Sequence, residues 1–215
     1  DSTLQERLRE EVSVQFKLHH SGIAEMLDVD FDDDTPFIVI EYLDGVTLHR
    51  MLEEHGSLPV AEAMTIMRAL LDTLHYLHNH GVIWRDVKPA NILLTLQGRV
   101  VIVDFGTAQT VQNASEGPDT TRLGFAAGTP AYMSPEQVRG EMQTAASDLF
   151  SLGVILFEML SGEKPWPVNS PVEYYQRVMS EKLDTLVAFQ RIPENFRPFL
   201  RKCLNLEPEE RFQSA

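Results

Sequence analysis

The chain has 215 residues, of which 43% are hydrophobic and 23% charged, with a formal net charge of −14. This suits one domain, or most of a two-lobed one, with a sizeable core, while the acidic balance and the lack of any Lys/Arg run argue against a nucleic-acid surface. One cysteine, Cys203, excludes an internal disulfide framework and fits a reducing compartment, and no signal peptide is read at the start.

Taken in order, residues 4–18 carry Leu4, Leu8, Val12 and, less regularly, Val14 and Leu18 at helical spacing. Residues 26–31 and 37–42 predict an antiparallel strand pair. Asp28, Asp30 and Asp32 imitate the start of a calcium loop. That loop needs glycine and glutamate where this chain has Asp33 and Val39, so a solvated hairpin tip is expected instead. Residues 47–55 predict a short helix stopped by Gly56. Ser57 reads as the cap of the next helix, with Pro59 in its first turn. Met64, Met67, Leu70, Leu71, Leu74 and Leu77 share one face of that helix, and Gly81 ends it. His75, His78 and His80 crowd its end; without a nearby carboxylate or cysteine they read as packing and surface residues rather than a metal site. Two apolar runs, 92–94 and 100–103, split by Gln97 and Gly98, read as a hairpin. Residues 115–122 are polar and turn-rich. The most apolar segment, 149–160, is too short to span a bilayer and is interrupted by Ser151 and Glu158, so it predicts a buried helix. Trp166 is expected to pack on that core, and residues 171–182 and 194–206 predict two further helices.

The hairpin would set Asp86, Lys88 and Asn91 at one end and bring Asp104 back beside them. Two carboxylates, a carboxamide oxygen and an ammonium suit the handling of a metal-bound polyphosphate. Oxygen ligands select Mg²⁺, the lysine offsets phosphate charge, and a free carboxylate orients a hydroxyl nucleophile. Asp and Asn are common in turns, so the four together at these spacings carry the reading, not any one of them.

W-R-D-V-K-P-A-N at 84–91, followed by D-F-G at 104–106, resembles the catalytic loop and metal motif of protein kinases. E-Y-L-D-G-V-T-L at 41–48, G-T-P-A-Y-M-S-P-E-Q-V-R-G at 128–140 and P-E-E-R-F-Q-S-A at 208–215 resemble the bacterial serine/threonine kinases of PknB-like type. The resemblance implies an α+β, protein-kinase-like fold. Residues 1–43 would be a partial β-rich small lobe, and 44–215 a mainly helical large lobe truncated in its last helix. It makes Asp86 the catalytic base, Lys88 the neutraliser of the transferring phosphate, and Asn91 and Asp104 the metal ligands. Thr129 would bond Asp86 and Lys88. Ile40 would guard the back of the adenine pocket, the main chain at Glu41 and Leu43 would bond adenine, and Leu93 and Val103 would line the floor and the space under the metal. Glu11, or Glu10 as the alternative, would be the ion-pair glutamate of the first helix. Arg85 could engage a phosphate on Thr120 or Thr121, ordering the activation segment. Glu136 would pair with Arg211, and Asp148 would hold the catalytic-loop backbone. Trp84 departs from the family, which has a structural histidine there; an indole can pack beside Phe105 and donate one N–H.

The implied activity is transfer of the ATP γ-phosphate to serine or threonine hydroxyls of protein substrates, with Mg²⁺, or Mn²⁺ in its place. No nucleic acid and no membrane segment of this chain would take part. A cytoplasmic setting and a dimer for autophosphorylation are the further expectations. No G-x-G-x-x-G occurs, and Lys17 does not fit the strand-lysine position, so the chain is expected to begin partway through the small lobe and to lack activity by itself. The alternative is a pseudokinase or regulatory binding module. A small-molecule phosphotransferase is a third reading, against which the peptide-docking motif at 128–136 speaks.

Overall fold

In a computed structural model, residues 12, 16–30, 37–104, 109–110, 130–168 and 170–215 are described. Strands β1 (Met26–Asp30) and β2 (Phe37–Ile40) form the antiparallel pair expected from their apolar runs, with Met26 opposite Ile40 and Asp30 opposite Phe37. Strand β3 (Gly45–Thr47) runs into helix α1 (Leu48–His55), where the Thr47 hydroxyl accepts from the Arg50 N–H and Gly56 closes the far end at φ 69°. Helix α2 (Val60–Asn79) follows. Its cap is not Ser57. The helix starts at Pro59, whose carbonyl takes the Glu62 and Ala63 N–H groups, and no side chain caps it. Proline's fixed φ serves here in place of a capping hydroxyl.

Strand β4 (Val82–Ile83) leads into the candidate loop, and β5 (Ile92–Thr95) and β6 (Val100–Ile102) form the hairpin around Gly98. Gly98 sits at φ 81°, the left-handed region where glycine is least strained. β3 pairs with the other edge of β5, giving a sheet of order β3-β5-β6. Strand β7 (Gln109–Thr110) pairs with β4. Helices α3 (Pro135–Val138), α4 (Ala145–Ser161), α5 (Pro171–Ser180), α6 (Val187–Arg191) and α7 (Arg197–Cys203) complete the chain. The region expected to be one helix at 194–206 is split: a 3-10 turn at Glu194–Phe196 precedes α7, with Pro198 in its first turn. Helix α6 was not legible in the sequence. Its five residues are too few for a periodic pattern to emerge.

Helix α4 is the centre of the molecule. From Ala146 to Ser161 every residue except Glu158 is buried. Such all-round burial explains why its sequence is apolar all round rather than on one stripe. Thr144 and Ser147 make a capping box at its start, and Gly162 ends it at φ 80°. Gly153 lets α7 approach: a Cβ there would lie 2.7 Å from the Cys203 Cβ. Trp166 is buried between Phe150 (6.2 Å, stacked) and Tyr174 (6.3 Å, edge-on), as expected of it.

Most of the predicted first helix lies outside the described residues; Val12 is helical and buried, and the Phe16 N–H bonds its carbonyl at 2.9 Å. The next turn is wired to both parts of the molecule. His20 stacks on Tyr76 of α2 (4.9 Å), while Gly22 and Ala24 exchange backbone hydrogen bonds with Ile102 of β6. Among the described residues no helix is long and apolar enough to cross a membrane.

Candidate active site

Residues 84–91 are held from three sides. From α4, the buried Asp148 carboxylate accepts the Trp84 N–H (3.0 Å) on Oδ2 and the Arg85 N–H (2.8 Å) on Oδ1. From the end of α2, His78 Nε2–H donates to the same Oδ2 at 2.8 Å. These three donors satisfy the oxygens of a fully buried carboxylate. From α3, the Gln137 amide donates to the Arg85 carbonyl at 2.7 Å.

These contacts hold an unfavourable conformation. Arg85 has φ 70°, and among the described residues it is the one non-glycine residue at positive φ. The Asp86 N–H bonds the Trp84 carbonyl at 2.9 Å, so three residues close a γ-turn around Arg85. Such backbone states cost on the order of 1–3 kcal/mol and persist where surrounding contacts over-determine them. The turn points the chain so that Asp86 emerges next to Lys88 and Asn91.

Asp86 Oδ2 accepts from Lys88 Nζ (2.7 Å) and from Asn91 Nδ2 (2.7 Å). Asn91 Nδ2 also donates to the Asp86 carbonyl at 3.1 Å. Both amide N–H bonds are thus spent on Asp86, and the Asn91 oxygen is the group left to take a cation. With Oδ2 doubly engaged, Asp86 Oδ1 is left to accept from a hydroxyl. Asp86 and Lys88 keep 28% and 32% of their side-chain surface, enough for a substrate to reach them.

The hairpin brings Asp104 back as expected. The Val103 N–H bonds the Asn91 carbonyl (3.1 Å), and the Trp84 indole N–H bonds the Asp104 carbonyl (2.7 Å). Trp84 is fully buried, and its ring N–H is the donor to this carbonyl. Asp104 itself is exposed. Oxygen donors from Asn91 and Asp104 fit a hard divalent cation. Leu93 sits half-buried in β5 opposite Val101, and Val103 is half-buried beyond β6.

On the β1–β2 side, Ile40 ends β2 with 45% of its surface exposed. The Glu41 N–H bonds the Glu25 carbonyl (2.8 Å), and Leu43 is half-buried. The Glu41 carboxylate takes Arg99 at 3.2 and 3.3 Å, and this guanidinium holds the carboxyl below its usual range.

Glu136 and Arg211 form a bidentate pair, at 2.7 and 2.9 Å, with both side chains buried. Burial pushes the Glu136 carboxyl up, but Arg211 and the Ser147 hydroxyl (2.7 Å) outweigh it and hold it below the usual value. Glu10, Glu11, Phe105, Thr120, Thr121 and Thr129 lie outside the described residues.

Two supporting residues escaped the sequence reading. By sequence His78 reads, with its neighbours, as packing or surface, whereas its partner carboxylate lies 70 residues away on α4. Gln137 was legible only as the fourth residue of S-x-x-Q, a capping-box pattern; Ser134 N–H donates to its Oε1 at 2.8 Å. The reach of its other end to Arg85 has no local signal.

Over residues 1–215 the chain matches the protein kinase domain. It is 34% identical over 214 residues to the serine/threonine-protein kinase PknB of Mycobacterium tuberculosis, covering 97% of this chain and 34% of that protein. A probable serine/threonine-protein kinase of Streptomyces coelicolor is 36% identical over 220 residues, covering 100% of this chain and 32% of that protein. One of Clostridium perfringens is 34% identical over 210 residues, covering 97% and 30%. The chain thus spans about a third of the length of these curated relatives. A sheet-bearing first part, a helical remainder centred on α4, and this match across every residue place the chain in the protein kinase domain family.

Proposed function

We propose that the chain is the catalytic portion of a serine/threonine protein kinase that moves the γ-phosphate of ATP to a protein hydroxyl. The observation that carries this is the Asp86–Lys88–Asn91 constellation, with Asp104 tied beside it through backbone bonds. Asp86 orients the acceptor hydroxyl and takes its proton through Oδ1. Lys88, 2.7 Å from Asp86 Oδ2, balances that carboxylate and stands beside the incoming phosphoryl group. Asn91 and Asp104 would hold Mg²⁺, which neutralises phosphate charge when bound. Ile40, Leu93 and Val103 would line the adenine site, with the Glu41 and Leu43 backbone as its hydrogen-bonding edge. Glu11 and Thr129 would complete the set, and phosphorylation at Thr120 or Thr121 would engage Arg85. The kinase names of the relatives support the hydroxyl acceptor being serine or threonine.

The test is Asp86→Asn in the full-length protein, read as phosphate transfer from labelled ATP to a serine-bearing protein. Loss of a general base predicts a fall of roughly 10²–10⁴-fold with the fold intact by circular dichroism. Unchanged turnover would overturn the assignment.

A further inference from the structure

We propose that Gln137 is a positioning residue for phosphoryl transfer, holding the Arg85 carbonyl and so fixing the strained turn that aims Asp86. The inference rests on the reading of Asp86 as the reacting carboxylate.

Arg85 is the hinge of the γ-turn, and both polar groups of its backbone are taken by side chains of other elements. Asp148 of α4 accepts its N–H at 2.8 Å, and Gln137 of α3 donates to its carbonyl at 2.7 Å. The two contacts grip the two peptide groups that flank Arg85. A turn of this kind relaxes by rotating those peptides, and either grip alone would leave one of them held only by the turn's own Asp86–Trp84 bond. Asp86 follows directly, so rotation of the Arg85–Asp86 peptide moves the carboxylate away from Lys88 and Asn91.

The orientation of the Gln137 amide is fixed by its surroundings. Its Oε1 accepts from Ser134 N–H at 2.8 Å, and its Nε2 faces two acceptors, the Arg85 carbonyl and Gln143 Oε1 at 3.3 Å. Flipping the amide would set oxygen against oxygen and N–H against N–H. The side chain is 6% exposed, so water does not replace these partners readily. Glu136, one residue earlier, carries the ion pair to Arg211, which makes α3 a rigid platform. Gln137 therefore links that platform to the reacting loop.

Gln137→Glu separates the two duties of the residue. A glutamate keeps the cap, because it accepts from Ser134 N–H as the glutamine does. It also replaces the donor facing Arg85 by an oxygen. Ser134→Ala is the companion variant: it removes the hydroxyl from the cap and leaves the link to Arg85. In the full-length protein, Gln137→Glu should lower kcat about 10- to 100-fold near neutral pH, with little change in the KM for ATP. Activity should return as the pH is lowered toward about 6, since a carboxyl facing two oxygens in a buried site takes up a proton readily and then donates again. The charged and titratable groups on the elements that meet here are Arg85, Asp148 with its partner His78, the Glu136–Arg211 pair and the Arg139–Glu141 pair. All are present in both proteins, so the difference between the two pH profiles reports residue 137. Amide hydrogen exchange at Arg85 and Asp86 should quicken in Gln137→Glu and stay at the parent rate in Ser134→Ala. Parent-like exchange in Gln137→Glu would overturn the inference. So would equal kcat losses in the two variants without recovery in acid. A full-length parent that transfers no phosphate would instead sink the kinase reading, and the exchange comparison would still decide whether Gln137 holds the turn.

Discussion

Trp84 shows how one residue can join two chemically important segments. Its ring is fully buried, its backbone N–H is held by Asp148, and its indole N–H reaches the Asp104 carbonyl at 2.7 Å. Trp84→Phe keeps an aromatic ring but removes the indole donor to that carbonyl, a hydrogen bond worth about 0.5–1.5 kcal/mol, and it leaves part of the indole volume empty. We expect Trp84→His to lose less than Trp84→Phe in urea denaturation, because it retains a ring N–H. Equal losses in the two variants would show that packing alone matters at this position. Residue-scale chemistry was the most legible layer of the sequence. Asp86, Lys88, Asn91 and Asp104 lie close in sequence on either side of one hairpin, so short-range spacing was enough to group them. His78 and Asp148 are 70 residues apart, and periodicity reports which face of a helix is buried but not what lies opposite.

The one-turn helix α3 owes its stability to long-range partners. Four residues cannot hold a helix in water; its capping box, the Glu136–Arg211 pair and the Gln137–Arg85 bond hold this one. Removing one member of the buried pair should cost about 3–5 kcal/mol, since the other charge is left buried without compensation. Glu136→Gln is the cleaner variant because it preserves shape. The folded state holds the Glu136 carboxyl below its ordinary 4.5. Its contribution is therefore complete above about pH 4.5 and is lost as the pH falls through the lower, folded-state value. Stability curves of the parent and Glu136→Gln should run parallel at neutral pH and converge in acid, as the pH falls below the ordinary carboxylate range and through the folded-state value. A gap that persists unchanged into strong acid would show that ionisation of Glu136 is not the source. At this scale the sequence was legible wherever an element had its own punctuation. Gly56 and Gly98 mark their elements correctly, whereas Thr47, expected inside the helix, ends β3 and caps α1. Ser57 misled because Pro59, two residues on, starts the helix with no side-chain cap.

On the scale of the whole molecule, the core is one body around α4, and Cys203 reports on it. The thiol is buried against Gly153, and burial pushes it up to about 12. Native protein should therefore resist alkylation at pH 8 and become labelled only at the rate at which the fold opens. Stoichiometric labelling within minutes, without denaturant, would mean that α7 parts from α4 locally. The order of small sheets followed by a mainly helical region was readable from the motifs. The seam was not. Ile23 and Ile102 meet as an isolated parallel bridge, a contact of two residues that no periodicity announces.

The Glu136–Arg211 pair also sets a clock on synthesis. Its members are separated by 75 residues, a distance that takes a ribosome roughly 4–15 s to cover. Throughout that interval Glu136 has no guanidinium to meet, and burying its carboxylate unpaired is prohibitive. The nascent chain must therefore keep α3 open, with the surface of α4 beneath it exposed, until Arg211 emerges. Stable docking of α3 onto α4 is thus a late step, one that waits for nearly the whole of this chain to be made.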